Sequence, residues 1–572
     1  MYLARRSVVG FGLATAAAAP MARAASALPA VSTDVVVLSP GAGRRDYAPA
    51  IAALRAYAAS ELKSIGLPGM TLSVADDQGF AASMTFGYAD LDLREPVRRS
   101  QLFQIGSISK AFASLCLFTF AQEGKLDLDA PLSRYLPEAA LPAEPITVAQ
   151  VMSHSAGLPD GAPVFPRSPG GRLWSGFAPG SKFSYSNTGY ELLGHLIARL
   201  GGAPHPEVIR ARVLKPLGLD AMLTSIQDPD RPRFANSYSP LRPTWPALTG
   251  APLAAGPWTQ MDEAAGSLSA TADTMTRYLG FLMRLGRGDG APLFGPALAR
   301  RFATAAIDCD VFGPKSRYGY GLGTVLIDDS PAYHHTGGMI TFTSSFHVDA
   351  KAGVGCFASV NASLGDYRPR HTTAYALQLL RAVKAGTPLP PAPDPLVSQR
   401  IEHAELYAGR YVGPTGEVVQ VRRNGGVLDL AAGDATGRLE PAGRDTLMTS
   451  HPDYAAHLLT FERQGEAPAS GVWWGEALFL RDGVGQRAPT PAALAALAGH
   501  YLSNDPWTGD ATVFARGESL VLEGRGALTP RDGGYWAVKD DAGGVERFWF
   551  EGLLNDRPQR LNVSGADMLR LS

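Results

Sequence analysis

Five prolines fall between Lys384 and Ser398, in the segment KAGTPLPPAPDPLVS. Proline fixes φ and has no N–H to donate, so this run cannot continue a helix or sit inside a sheet. It makes a stiff spacer. The chain has 572 residues, more than one hydrophobic core usually organises. Residues 386–398 are therefore read as a linker between differently built parts.

Before the linker, helical and strand patterns mix. DYAPAIAALRAYAASELKS at 46–64 has apolar residues at helical spacing. LPGMTLSVAD and GFAASMTFGYADL, around a turn at Asp76–Gly79, predict a β-hairpin. A helix is expected over 107–123, stopped by Gly124, and another in TADTMTRYLGFLMRLG with Thr271 as N-cap. Strand patterns resume at GYGLGTVLID, SSFHVDA and GVGCFASVNA. Strands first, helices in the middle and strands last predict one sheet built from both ends of residues 45–385.

After the linker the pattern is short β segments, and it repeats. YAGRY at 407–411 returns as LAGHY at 497–501, an offset of 90 residues. Each is followed by an alternating strand, GGVLDL at 425–430 and GESLVL at 517–522, and each half ends in another, ALFL at 477–480 and MLRL at 568–571. The repeat predicts two tandem antiparallel β-barrel domains, 399–488 and 489–572, joined near Pro489–Pro491.

The N-terminus carries Arg5-Arg6, an apolar Ala-rich run from Val8 to Pro20, and small residues at Ala22-Arg23-Ala24. That is the three-part pattern of an export signal over 1–24, by the twin-arginine or the Sec route. The expected protein is exported, periplasmic or secreted, with no membrane span after cleavage. Hydrophobic residues at 45% and charged residues at 18% fit a folded rather than a disordered chain. A net charge of -1 calls for neither nucleic acid nor an anionic membrane as partner. Cys116, Cys309 and Cys356 are scattered through apolar stretches and read as small buried hydrophobes.

Three short motifs carry chemistry. The first is Ser107-Ile108-Ser109-Lys110 in FQIGSISK. On a helix, residues three apart share a face, so Lys110 points at the Ser107 hydroxyl. A serine is a weak nucleophile until a neighbouring base or cation activates it. Ser60 and Lys63 repeat the spacing without partners and read as chance. The Ser107 helix also shows an apolar face of Ile108, Phe112, Leu115 and Phe118 or Thr119. The second motif is Tyr185-Ser186-Asn187, where a phenol near a lysine loses its proton more easily and an amide can hold substrate and lysine together. Read blandly, it is a polar turn. The third is His335-Thr336-Gly337-Gly338, where glycines on an edge strand would admit a substrate backbone. His334-His335 lacks further ligands at metal spacing, so no metal or other cofactor is expected.

In this order, S-x-x-K, Y-x-N and H-T-G resemble the penicillin-binding protein and class C β-lactamase superfamily of serine hydrolases. VMSHSAGLPD at 151–160, whose His154 reads as structural, and AAGSLSATADTMTRYL at 264–279 resemble stretches that these proteins carry between the motifs. The resemblance implies an α/β sandwich, an antiparallel sheet with a helical lobe, and an active site between lobes. It implies Ser107 as acylated nucleophile, Lys110 as activator and Tyr185 as base and proton shuttle. Asn187, His335, Thr336 and Gly337 would bind substrate, and the backbone N–H groups of Ser107 and Gly338 would form the oxyanion hole.

The third motif departs from the β-lactamase type, which has lysine where this chain has His335. A near-neutral histidine lacks the fixed charge for a substrate carboxylate. The resemblance is therefore to D-aminopeptidases and D-alanyl-D-alanine carboxypeptidases, and two C-terminal barrels suit the former. The expected activity is a peptidase or amidase on small-molecule or short-peptide substrates. Its rivals are an esterase or β-lactamase with the same residues, and a non-catalytic penicillin-recognising sensor or peptidoglycan-binding protein.

Overall fold

The computed structural model describes residues 33–41, 45–164, 171–486, 489–539 and 544–572. The expected export signal lies outside them. Among the described residues no helix is long and apolar enough to cross a membrane.

A ten-stranded antiparallel sheet organises the first part. Its order is Thr33–Pro40, Phe80–Asp90, Gly69–Asp76, Val354–Val360, Thr343–Asp349, Ser330–Gly338, Gly323–Ile327, Arg317–Tyr318 and Ile307–Asp308, with Glu95–Pro96 paired to Phe80–Asp90. The N-terminal hairpin meets the C-terminal strands where Val74 faces Cys356, so both chain ends do share one sheet. The edge strand Thr33–Pro40, rich in β-branched residues, lies ahead of the expected domain start at residue 45.

Each face of the sheet has its own core. Helices Ala48–Ile65 and Arg370–Ala385 cover one, packing Leu54, Leu62, Leu377 and Leu380 onto Met70, Leu72 and Val360. The other core runs from Phe346 and Phe357 through helix Ala272–Leu285 into the helical lobe. Helix Ser109–Gln122 passes through its middle. The sequence predicts one apolar face for this helix, but every residue from Ser109 to Phe120 is buried. A helix packed on all sides is apolar all round, and its polar residues need internal partners. Ser109 accepts from the Leu268 N–H at 3.0 Å, and Ser114 bonds the Tyr190 phenol at 3.1 Å. Ser60 and Lys63, by contrast, are exposed on the outer helix.

Beyond the proline segment lie two closed eight-stranded barrels, from Gly409–Val412 to Ala477–Leu480 and from Gly499–Leu502 to Ala566–Arg570. The repeated pentapeptide has a structural meaning. Tyr411 is fully buried and its hydroxyl donates to the Tyr407 carbonyl at 2.7 Å; Tyr501 does the same to Leu497 at 2.8 Å. An arginine at the end of each last strand closes the arrangement. Arg481 lies over the Tyr411 ring and donates to the Ala408 carbonyl; Arg570 lies over Tyr501 and donates to Ala496 and Ala498. The fold is thus an α/β sandwich with a helical lobe, followed by two β-barrels.

One buried acid marks the outer helix pair. Glu61 is 1% exposed and accepts from the Thr372 hydroxyl across the two helices. Burial pushes its carboxyl up to about 7, partly opposed by Thr372 and Tyr367 hydrogen bonds. A carboxyl raised in the folded state gives stability that is present below its unfolded pKa and lost as pH rises through the folded one. From about pH 5 to about pH 8 the melting temperature of Glu61→Gln should therefore gain on that of wild type. A difference constant with pH, read by circular dichroism, would contradict a neutral Glu61.

Candidate active site

Ser107 is delivered by a tight approach of two backbones. Gly106 has φ of +55°, and a β-carbon on it would fall 2.8 Å from the Gly338 nitrogen. Only glycine suits both conditions. The short helical turn Gly106–Ile108 then runs into helix Ser109–Gln122, which places Ser107 and Lys110 one turn apart.

Lys110 is wholly buried. Its Nζ reaches Ser107 Oγ at 3.1 Å, Asn187 Oδ1 at 2.6 Å and the Ala265 carbonyl at 3.0 Å. Two of these partners can only accept. A neutral amine therefore gives its two N–H groups to Asn187 and Ala265 and turns its lone pair to the Ser107 hydroxyl. Burial pulls the Lys110 amine down from 10.5 to about 8, against the opposing charges of Asp160, Glu191 and Glu263. Deprotonation is thus accessible near neutral pH.

Tyr185-Ser186-Asn187 stands where a loop becomes helix Asn187–Gly201. Ser186 is the N-cap, accepting from the Gly189 N–H at 2.9 Å, so the motif is a helix start as well as a site. His154 holds it from behind, as its structural reading requires. Its Nδ1 accepts from the Ser186 N–H at 3.0 Å, and its ring packs 4.3 Å from that of Tyr185. The Tyr185 phenol hydrogen-bonds Ser107, and Lys110 Nζ lies 4.8 Å from the phenol ring centre. The expectation of an easily ionised Tyr185 fails: burial holds the phenol far above its ordinary value. It is a proton donor at rest.

The H-T-G segment also differs from expectation. His335 is 1% exposed and turns inward. Its Nδ1 donates to the Thr336 carbonyl at 2.6 Å, so Nε2 accepts from the Tyr318 hydroxyl at 2.9 Å. Both ring nitrogens are used inside the protein, and burial pulls the imidazole down to about 3. His335 is therefore neutral and not presented to substrate. Gly337 makes room for the protein's own backbone, since a β-carbon there would fall 2.0 Å from the Ile105 carbonyl oxygen. The neighbouring strand Gly323–Ile327 ends opposite His334, so the stretch through Thr336 to Gly338 is a local edge, and Gly338 lines the cleft beside Ser107. Among the described residues no group of three His, Cys, Asp or Glu could hold a metal. Cys116 and Cys356 are buried, and all three cysteines are free thiols.

Several cleft residues have no motif. Asp160 and Glu191 face the lysine with Glu263; Asp160 sits in the VMSHSAGLPD loop, and Glu191 lies one helical turn after Asn187, a spacing that could have found it. Arg368, from the loop before helix Arg370–Ala385, donates to the Tyr367 carbonyl at 2.7 Å and reaches over Gly338, where a β-carbon would meet its Nη2 at 2.7 Å. Nothing in the sequence around Arg368 marks it. Both barrels add to the cleft wall, the first through Glu440, the second through Asp505, Arg525 and Glu546.

An antiparallel sheet flanked by helices, with a serine–lysine pair at the foot of a buried helix between its lobes, defines a class of protein. The family model that matches the chain is described as Beta-lactamase and covers residues 54–380. The chain belongs to the beta-lactamase family. It is 29% identical over 217 residues to a protein named Beta-lactamase from Pseudomonas fluorescens, covering 36% of this chain and 58% of that one. A Beta-lactamase from Escherichia coli strain K12 is 29% identical over 180 residues, 30% of this chain and 48% of that one. The chain thus spans about half the length of these curated relatives. Among solved structures, the octameric penicillin-binding protein homologue from Pyrococcus abyssi shares the fold, with a TM-score of 0.54 and 22% identity, over 75% of this chain and 99% of that one.

The site predicts a simple pH profile. Acylation by a neutral ester should rise with pH through a limb near 8, where the Lys110 amine loses its proton beside the buried Glu191 carboxyl, which burial raises to about 8 as well. No inflection is expected at the ordinary histidine range of about 6.5, and His335→Gln should leave the limb in place. A limb near 6.5 that His335→Gln removes would assign the titration to the histidine instead.

Proposed function

We propose that this protein is an exported serine hydrolase that works through an acyl-enzyme on Ser107. Its substrates are small amides and short peptides of the kind that D-aminopeptidases or D-alanyl-D-alanine carboxypeptidases take. The observation that carries the reading is the Lys110 amine, buried and aimed by two acceptors so that its lone pair meets the Ser107 hydroxyl. A binding protein has no need of that arrangement. The pattern of residues 1–24 supports export.

In the proposed reaction Lys110 takes the Ser107 proton as Oγ attacks the substrate carbonyl. The oxyanion forms against the backbone N–H groups of Ser107 and Gly338. The protonated Tyr185 phenol, hydrogen-bonded to Ser107, passes a proton to the leaving nitrogen and recovers one from Lys110. The C–N bond breaks, the amine departs and the acyl group stays on Ser107. Water then repeats the steps in reverse and releases the acid. Asn187 holds Lys110 and can meet the substrate's amide. Efficient penicillin hydrolysis is not expected, because His335 is neutral and buried. The barrels line the same cleft.

A panel of substrates tests this reading: D- and L-alanine amide, an acyl-D-Ala-D-Ala peptide, p-nitrophenyl acetate and a cephalosporin. The D-amide or the D-Ala-D-Ala peptide should turn over, and Lys110→Ala should lower kcat/KM roughly 100- to 10,000-fold. Turnover of the ester alone would make the protein an esterase. Efficient cephalosporin turnover would make it a β-lactamase. Acylation by the cephalosporin with no turnover of any substrate would make it a sensor.

A further inference from the structure

The second barrel touches the catalytic domain where the lysine's own support begins. In that barrel, the stretch before strand Phe548–Leu554 carries Val545, Glu546 and Arg547. The Val545 carbonyl accepts from Trp174 Nε1 at 2.7 Å. Its side chain fills the space over Gly176, where a β-carbon would come within 2.5 Å. Arg547 lies 4.4 Å over the Trp174 ring. These contacts seat the barrel on the domain. Glu546 does something more specific: its Oε1 accepts the Asp160 backbone N–H at 2.7 Å.

From Asp160 an unbroken series of hydrogen bonds leads to the serine. Asp160 Oδ1 accepts from the Asn187 N–H at 2.9 Å and from Asn187 Nδ2 at 3.0 Å. With Nδ2 committed to a carboxylate, Asn187 must turn Oδ1 the other way, to Lys110 Nζ at 2.6 Å. Lys110 then meets Ser107 Oγ at 3.1 Å. The orientation of the Asn187 amide, and hence of the lysine lone pair, follows from where Asp160 sits. Asp160 is tied on one side to the start of helix Asn187–Gly201, its carbonyl accepting from the Thr188 N–H at 2.9 Å, and on the other to Glu546. Glu546 is itself held, because its second oxygen accepts from Ser564 Oγ on the same barrel. A buried backbone N–H left without its acceptor is costly, so this contact fixes where the Asp160 loop sits.

We infer that Glu546 is a positioning residue for Lys110, so that the second barrel completes the active site through Asp160 and Asn187 rather than serving as an appendage. The inference rests on the proposed role of Ser107 and Lys110. It assigns Glu546 no contact with substrate. It requires that loss of the carboxylate leave the Asp160 N–H without its acceptor, loosen the Asn187 amide and slow the chemical step. The charged and titratable groups around Lys110 are Asp160, Glu191, Glu263, Tyr185, Tyr190 and the buried His154 and His335; around Glu546 they are Asp160 and Arg525. Of the carboxylates, Asp160 joins the two sets, so a disturbed Asp160 should also move the pH limb of acylation downward, as its favourable charge on the ammonium weakens.

The test uses full-length protein and a fluorophosphonate probe, comparing wild type, Glu546→Ala, Glu546→Gln and Ser564→Ala. The acylation rate at the pH plateau and the position of the limb are read beside the melting temperature. Glu546→Ala should acylate about tenfold more slowly, with its limb at lower pH. Glu546→Gln, which keeps an acceptor at Oε1, should recover most of the rate and the wild-type limb. Ser564→Ala should show the same direction at about two- to threefold, and it carries the test if Glu546→Ala does not fold. A folded Glu546→Ala with wild-type rate and limb, or a folded Ser564→Ala standing alone with both unchanged, overturns the relay. Wild type that takes no label at Ser107 overturns the hydrolase reading itself, so the two failures are distinct.

Discussion

An ammonium group with no exposure to solvent is the constraint on which the site depends. Burying the charge of Lys110 costs free energy unless hydrogen bonds and opposite charges compensate. Here the compensation is incomplete by construction. Three carboxyl groups stand near the lysine, each pushed toward its neutral form by burial, and its direct partners are a serine hydroxyl, an amide oxygen and a peptide carbonyl. The proton is therefore held loosely, and the amine is brought into the range where a general base works best. Everything close by serves that balance. Helix Ser109–Gln122 is packed on all sides, and its first turn carries the lysine into the interior. Gly106 and Gly337 let the strand bearing Gly338 close against that turn.

The barrels belong to the same picture. They share a motif, a buried tyrosine tied to the carbonyl four residues earlier and covered by an arginine at the end of the last strand. Their attachments differ. The first barrel holds the loop at Thr249 through Glu440 and Arg438, while the second reaches the loop that carries Asp160. Both contribute side chains to the cleft in front of Ser107. The cleft forms where three domains meet, and its polarity comes from all of them.

Much of this was legible in the sequence because it rests on local spacing. Ser107 and Lys110 share a helix face, Tyr185 and Asn187 flank an N-cap, and an exact offset between YAGRY and LAGHY announces two copies of one fold. What failed was direction. The sequence places His335 beside the cleft but does not say that Tyr318 and the Thr336 carbonyl turn its ring inward. It reads a lysine near Tyr185 as a reason for easy ionisation, whereas burial outweighs the neighbour. Asp160, Arg368 and Glu546 were invisible as site residues because they come from separate loops that only tertiary contact brings together. Strand Thr33–Pro40 was missed because its partner, Phe80–Asp90, is remote in sequence.

One serine, activated by a buried lysine, is proposed to do the chemistry. The most direct measurement is the intact mass of the protein after incubation with a fluorophosphonate, for wild type, Ser107→Ala and Ser60→Ala. A single adduct is expected on wild type and on Ser60→Ala, and none on Ser107→Ala. An adduct that survives Ser107→Ala, or a folded wild type that takes no label, would contradict it.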